Sequence, residues 1–246
     1  MAEERKIYGA VSETPTSYVR DRETHPPLDY EPYKSTALRH PKQQLIYLPQ
    51  SITEITGPQL GPERVKNGDN DLTRQHEGEP IGERITVSGR VFDTEGKPLR
   101  GTLIEIWQAN AAGRYRHKWD RWPAELDPNF SGAGRCLTDD EGRYSFTTIK
   151  PGPYPWGNHH NAWRPAHIHF SLLGRAFAQR LVTQMYFPGD PLFEFDPIFQ
   201  SVRDEQARER MVSRFSIHEA VPNWALAYEF DIYLRGPGKT PFEEAH

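Results

Sequence analysis

From residue 83 onward, apolar side chains recur at every second position in short runs, the period of a β-strand. Ile85, Val87 and Val91 share one parity within residues 83–92, and Asp93-Thr94-Glu95-Gly96 then reads as a turn. Residues 101–108 give a second strand, with Ile104 and Ile106 on one face and Leu103, Glu105 and Trp107 on the other. Residues 135–138 and 143–149, separated by Asp139-Asp140-Glu141-Gly142, are expected to form a hairpin. Residues 166–172, 181–186 and 226–234 follow as strands. The last places Leu226, Tyr228, Phe230, Ile232 and Leu234 on one face. Residues 202–214 are the good helix candidate, with Ser201 and Asp204 resembling a capping box at its start. Short strands joined by turns, with one helix, predict a β-sandwich or barrel.

No such period runs through residues 1–80, which carry many prolines and charges. Their one short apolar stretch, Leu45-Ile46-Tyr47-Leu48, stops at Pro49. Structureless segments of this length are uncommon inside a compact domain. Tyr8, Tyr18, Tyr30, Tyr33 and Tyr47 favour an arm laid on another surface, because disordered segments are poor in aromatics. The expected division is an arm over residues 1–80 and a β domain over residues 81–246.

Composition agrees with many short elements. Apolar residues make up 36% of the chain, but 12 Phe, 11 Tyr and 6 Trp supply large areas for a core. The 22 prolines and 19 glycines disfavour long helices. A net charge of −4 with no basic stripe argues against nucleic acid as a partner. A lone cysteine, Cys136, rules out an internal disulfide framework, suits a reducing cytoplasm and reads as a packed thiol. The first thirty residues have no apolar signal region, and no run approaches the roughly 18 apolar residues of a membrane span. Neither secretion nor membrane insertion is expected.

Candidate chemistry concentrates in residues 151–170, PGPYPWGNHHNAWRPAHIHF. In the strand over residues 166–172, Ile168, Phe170 and Leu172 form a core face. His167, His169 and Ser171 share the opposite face. Two imidazoles two residues apart suit a common metal, since imidazole serves Zn, Cu, Fe and Ni. A surface strand with two exposed histidines is the alternative. His159 and His160 are adjacent, sit among Gly, Asn and Pro, and read as loop residues. Tyr154 is held between Pro153 and Pro155, which stiffen the backbone. Tyr115 follows the Trp107 strand; taken singly, each tyrosine reads as a core or interface residue.

The stretches WQANAAGRYRH, DPNFSGAGRCLTDDEGRYSFTTIKPGPYPW and WRPAHIHF resemble the signature of the intradiol ring-cleaving dioxygenases. The resemblance runs from about Tyr33 to Phe242, and its Tyr…Tyr…His-x-His pattern is far more specific than His-x-His alone. It implies a mostly β chain, a mixed-topology β-sandwich with long loops, an irregular N-terminal arm and one or two short helices. It also implies Tyr115, Tyr154, His167 and His169 as ligands of a non-haem Fe(III), with solvent hydroxide as a fifth. Tyr154 and His169 would be axial. Arg164 matches an active-site arginine suited to stabilising negative charge, and Gln184 matches a glutamine at the ring-opening face. Trp156 and Ile198 match residues lining the substrate pocket, and Tyr33 matches a tyrosine at the substrate carboxylate. Gly157-Asn158-His159-His160 departs from the expected pattern, which bears on carboxylate recognition.

The donor set fits the metal, because anionic phenolate oxygen favours a hard trivalent ion. A catecholic substrate and O2 follow from the resemblance. So does a homologous alpha subunit in an alpha–beta hetero-oligomer, in which a chain with all four ligands is the catalytic one. Family members acting on catechol or hydroxyquinol carry a helical N-terminal region that residues 1–80 lack, which favours 3,4-dihydroxybenzoate. A non-enzymatic metal-binding β-sandwich and a zinc hydrolase are the readings from other classes. The hydrolase lacks an obvious carboxylate base near the histidines.

Overall fold

A computed structural model describes residues 24–43, 62–93, 95–173, 180–234 and 238–241. The apolar stretch at residues 45–48, Tyr8, Tyr18, Tyr47 and Phe242 lie outside the described residues. Two sheets face each other. In the first, β1 (Arg84–Phe92) is central. On one edge it pairs antiparallel with β4 (Arg143–Ile149). On the other it pairs parallel with β10 (Leu226–Glu229) and then β11 (Ile232–Tyr233). The short β9 (Arg214–Phe215) extends β10. The second sheet runs β3 (Ala133–Leu137), β2 (Leu103–Gln108), β7 (His167–Leu173), β8 (Arg180–Tyr186), all antiparallel. A two-stranded ribbon joins β5 (Tyr154–Pro155) to β6 (Trp163–Arg164). This is the mixed-topology β-sandwich expected.

The alternation seen in the sequence decides what lies between the sheets. Ile85, Val87 and Val91 of β1 and Phe146 of β4 are buried against Ile104 and Ile106 of β2 and Ile168, Phe170 and Leu172 of β7. Each such side chain contributes roughly 1.5–3 kcal/mol on full burial. Leu72 joins the same core, and its backbone N–H donates to the Thr147 carbonyl, so residues near 72 are built into the sandwich. Cys136 is buried on β3, as a packed thiol should be.

The expected hairpin over residues 135–149 is corrected. The turn forms, with Asp139 Oδ1 accepting from Glu141 N and Arg143 N. Its two strands then enter different sheets, β3 against β2 and β4 against β1. Thr138 directs the split: its N–H donates to Thr102 O and its hydroxyl accepts from Thr102 N, which commits this edge to the second sheet. Cys136 and Phe146 thereby reach the core from opposite sides.

The expected strand over residues 226–234 is interrupted at Phe230 and Asp231. The Asp231 carboxylate accepts from Arg90 N at 2.8 Å in place of a backbone carbonyl, while β10 and β11 keep the same register on β1. Tyr228, Phe230 and Ile232 are buried, but Leu226 at the strand end is exposed.

Among the described residues, the helices are α1 (Thr36–Arg39), α2 (Pro197–Gln200) and α3 (Glu205–Glu209), with 3-10 turns at Pro62–Arg64 and Pro191–Phe195. The expected helix over residues 202–214 shrinks to α3. Asp204 is its N-cap, accepting from Gln206 N and Ala207 N, and Ser201 closes α2 instead. Beyond Arg210 the backbone is captured by the edge of β8: Tyr186 N donates to Met211 O and Ser213 N to Tyr186 O. A second apolar cluster of Tyr186, Phe199, Val202, Ala207 and Met211 fixes α2 and α3 on the outer face of the second sheet. Among the described residues, no helix is long and apolar enough to cross a membrane.

Candidate active site

The outer face of the second sheet carries the polar parity of β7. Cross-strand register sets Trp107, His169 and Gln184 in one row over β2, β7 and β8, and His167 beside Tyr186 in a neighbouring row. Both histidines are buried, at 2% and 4% exposure, so the exposed-strand alternative does not hold.

Two tyrosines close on these histidines from separate loops. The first loop is a turn in which Asn110 Oδ1 accepts from Ala112 N and Arg114 N, and Asp120 then accepts from Tyr115 N. It delivers the Tyr115 hydroxyl to 3.1 Å from His169 Nε2. The second is the β5–β6 ribbon, which pairs Tyr154 with Arg164. It delivers the Tyr154 hydroxyl to 3.3 Å from His167 Nε2. The loops touch where Gly113 adopts φ 77°. A Cβ there would lie 2.2 Å from the Pro153 carbonyl oxygen, which only glycine allows. The Tyr115 and Tyr154 rings meet edge to face, 5.4 Å between centroids, and the His167 and His169 rings lie 4.8 Å apart.

Two phenol oxygens and two imidazole nitrogens therefore converge. His167 Nδ1 lies 2.7 Å from the Pro165 carbonyl, which only accepts, so Nδ1 carries the proton and Nε2 presents its lone pair. Donating the far ring N–H to a carbonyl is how metal-ligating histidines are oriented. Among the described residues, no three His, Cys, Asp or Glu side chains form a candidate metal group. A metal held here draws on phenol oxygen as well as imidazole, which suits iron better than a zinc hydrolase site.

Arg164 is 2% exposed and adjoins this cluster. Its NH1 lies 3.2 Å from His167 Nε2. Its NH2 is anchored on Gln184 Oε1 at 2.6 Å, Tyr186 OH at 3.0 Å and Asp196 Oδ2 at 3.0 Å. Burial alone would drive the guanidinium towards neutrality. Asp196, Tyr186 and Tyr154 outweigh that, and the Arg164 pKa rises well above the ordinary arginine value. Arg164 Nε, Gln184 Nε2 and Trp156 Nε1 are buried donors without a protein acceptor. They are suited to a ligand's oxygens.

Tyr33, Trp156 and Ile198 lie outside this group of four. Tyr33 is buried edge-on against Trp156, with centroids 5.2 Å apart. Asn158 ties the arm down there: its Oδ1 accepts from Lys34 N and its Nδ2 donates to Pro32 O. His159 and His160 are exposed loop residues, as expected. Ile198 sits in α2, directly after Asp196 and Pro197. A cavity of about 550 Å3 opens between arm and α2, lined by Tyr30, Pro32, Lys34, His159, Pro197 and Gln200. Trp107, Tyr186 and Asp196 were not legible in the sequence as neighbours of this cluster. For Asp196 the available signal was Asp-Pro, which marks a helix start, with Asp at the cap and Pro at the first position.

Comparison with known proteins identifies the family. Residues 55–236 match a family model described as dioxygenase, and residues 18–51 match the N-terminal model of the protocatechuate 3,4-dioxygenase beta subunit. The chain is 57% identical over 226 residues to a protocatechuate 3,4-dioxygenase beta chain of Burkholderia cepacia, covering 91% of this chain and 96% of the relative. It is 28% identical over 204 residues to the alpha chain of that enzyme from Pseudomonas putida, covering 79% and 96%. The fold matches a solved hydroxyquinol 1,2-dioxygenase from Pseudomonas putida DLL-E4, with a TM-score of 0.53 and 21% identity, over 76% of this chain and 68% of that one. The chain belongs to the intradiol ring-cleavage dioxygenase family.

Proposed function

We propose that this chain is the catalytic, iron-bearing subunit of an enzyme that cleaves protocatechuate with O2 between its two hydroxyl-bearing carbons, giving 3-carboxy-cis,cis-muconate. The observation that carries this reading is the convergence of Tyr115, Tyr154, His167 and His169, two phenols each within 3.3 Å of an imidazole nitrogen. These four would hold a non-haem ferric ion. Bound there, such an ion would bind both catechol oxygens and render the ring reactive towards O2.

The chain's own groups do the rest. A phenol gives up its proton at neutral pH only beside a strong positive charge, which a bound ferric ion would supply. Tyr154, on the half-buried ribbon, would take a proton from a substrate hydroxyl. Arg164 keeps a permanent charge and a rigid fork beside His167 Nε2, where it would stabilise negative charge developing on the ring. Gln184, buried and fixed through its Oε1, keeps its amide N–H directed away from Arg164 and Tyr186. Trp156 and Ile198 would bound the ring. Tyr33, pinned by Asn158, would meet the substrate carboxylate.

The 57% identity to a beta chain, and the separate likeness to an alpha chain, support a hetero-oligomer with a homologous alpha subunit. Residues 1–80 would form the arm that reaches that subunit, with Leu72 anchoring its end in this chain's core. The lone buried thiol suits the cytoplasm. The test is oxygen uptake and product identification for the chain co-expressed with an alpha subunit. One O2 consumed per protocatechuate, with a 3-carboxymuconate product, is the expected result. Cleavage outside the diol, or turnover of hydroxyquinol in preference, overturns it.

A further inference from the structure

We infer that Asp196 is a positioning residue that acts through Arg164, holding the guanidinium so that one edge faces His167 Nε2. The inference rests on the ferric dioxygenase reading of the site. Asp196 is fully buried, and its Oδ2 meets Arg164 NH2 at 3.0 Å. A buried ion pair is weak as a source of stability, because desolvation offsets the attraction. Its geometry here is orientational. NH2 carries three acceptors, Asp196, Gln184 and Tyr186, whereas NH1 is left to approach His167 Nε2. Gln184 and Tyr186 are neutral partners, so Asp196 supplies the charge that anchors the NH2 end.

The same carboxylate has a second role. Asp196 Oδ1 accepts from Ile198 N at 3.1 Å, capping α2. One side chain thus joins the charge of Arg164 to the backbone that carries the pocket wall. Without the carboxylate, the guanidinium is free to turn towards Tyr154, its partner across the β5–β6 ribbon. A displacement of about 1 Å in such a group is enough to cost on the order of 100-fold in rate.

The variant that isolates the charge is Asp196→Asn, because Asn keeps the cap on α2. It is compared with Arg164→Ala and the double variant, each as the iron-loaded complex with its alpha subunit. Iron content, anaerobic binding of protocatechuate followed by absorption, kcat, KM and melting temperature are read for all. In Asp196→Asn, kcat falls on the order of 10–100-fold while iron content, KM and anaerobic binding stay within about 2-fold. Adding Asp196→Asn to Arg164→Ala costs no further kcat and raises the melting temperature, since it neutralises a carboxylate stranded by loss of its partner. That comparison carries the test by itself if the Asn variant fails to assemble. Wild-type kcat in Asp196→Asn, losses that multiply in the double variant, or a loss confined to iron binding overturn the inference. A wild-type complex with no ferric absorption or turnover overturns the reading of the site, and the inference with it.

Discussion

The indole of Trp107 lies flat on the imidazole of His169, 4.7 Å between centroids and 3° from parallel, because the two are register partners across β2 and β7. The stack fixes the plane of a predicted ligand whose Nε2 faces Tyr115. Trp107→Ala frees that ring to rotate. Metal affinity is expected to fall about 10-fold or more, as for loss of other outer supports of a ligand. Trp107→Phe, which keeps a stacking face, retains most of it. Iron titration of the purified variants separates the two.

Gly113 allows the Tyr115 turn to lie against the Tyr154 loop. Its positive φ and the 2.2 Å approach of the Pro153 carbonyl both exclude a Cβ. Gly113→Ala is expected to force the loops apart and to destabilise the fold by about 1–3 kcal/mol. Iron content at saturating metal falls with it. Chemical denaturation with and without iron reads both effects. A variant with wild-type iron content and stability contradicts this account of loop packing.

Arg164 adjoins the phenol–imidazole set without belonging to it. Arg164→Ala is expected to retain iron and to lower kcat by roughly 100–1000-fold, the scale for losing one preorganised charge stabiliser. Iron analysis beside steady-state kinetics checks this. Undiminished turnover in the iron-loaded variant removes Arg164 from the mechanism.

Cys136 is inert for a physical reason. Burial pushes its thiol up to about 12, from an ordinary value of 9.0. Alkylating reagents at pH 8 are expected to leave the native chain unmodified and to label it once unfolded. Above pH 9 the unfolded chain releases this proton while the folded chain keeps it up to about 12, so stability declines through that window. Cys136→Ala removes this component of the alkaline decline. Thermal melts from pH 8 to pH 11 show whether it does.

The sheet strands were legible where period 2 was strict, as at Ile85–Val87–Val91 and Ile168–Phe170–Leu172, because one face must be buried. The histidine face followed from the same parity. The split of β3 and β4 between sheets was not legible. A turn at Asp139–Gly142 specifies a reversal, and Thr138's bonds to Thr102 decide where the strands go. The helix at residues 202–214 was overread because β8 claims Met211 and Ser213 through backbone bonds that leave no mark on periodicity. Tyr115 and Tyr154 were bland one by one. Their meaning lay in a family resemblance and in the Gly113 contact, a long-range relation. Asp196 was hidden for the same reason: its partner Arg164 is 32 residues away.

The central claim is a ferric site built from two tyrosines and two histidines that binds its substrate directly. Visible absorption of the iron-loaded alpha–beta complex, recorded without oxygen before and after protocatechuate, tests it most directly. The account predicts a broad tyrosinate-to-iron band that changes when substrate is added. An iron-loaded protein that is colourless, or a band indifferent to substrate, contradicts it.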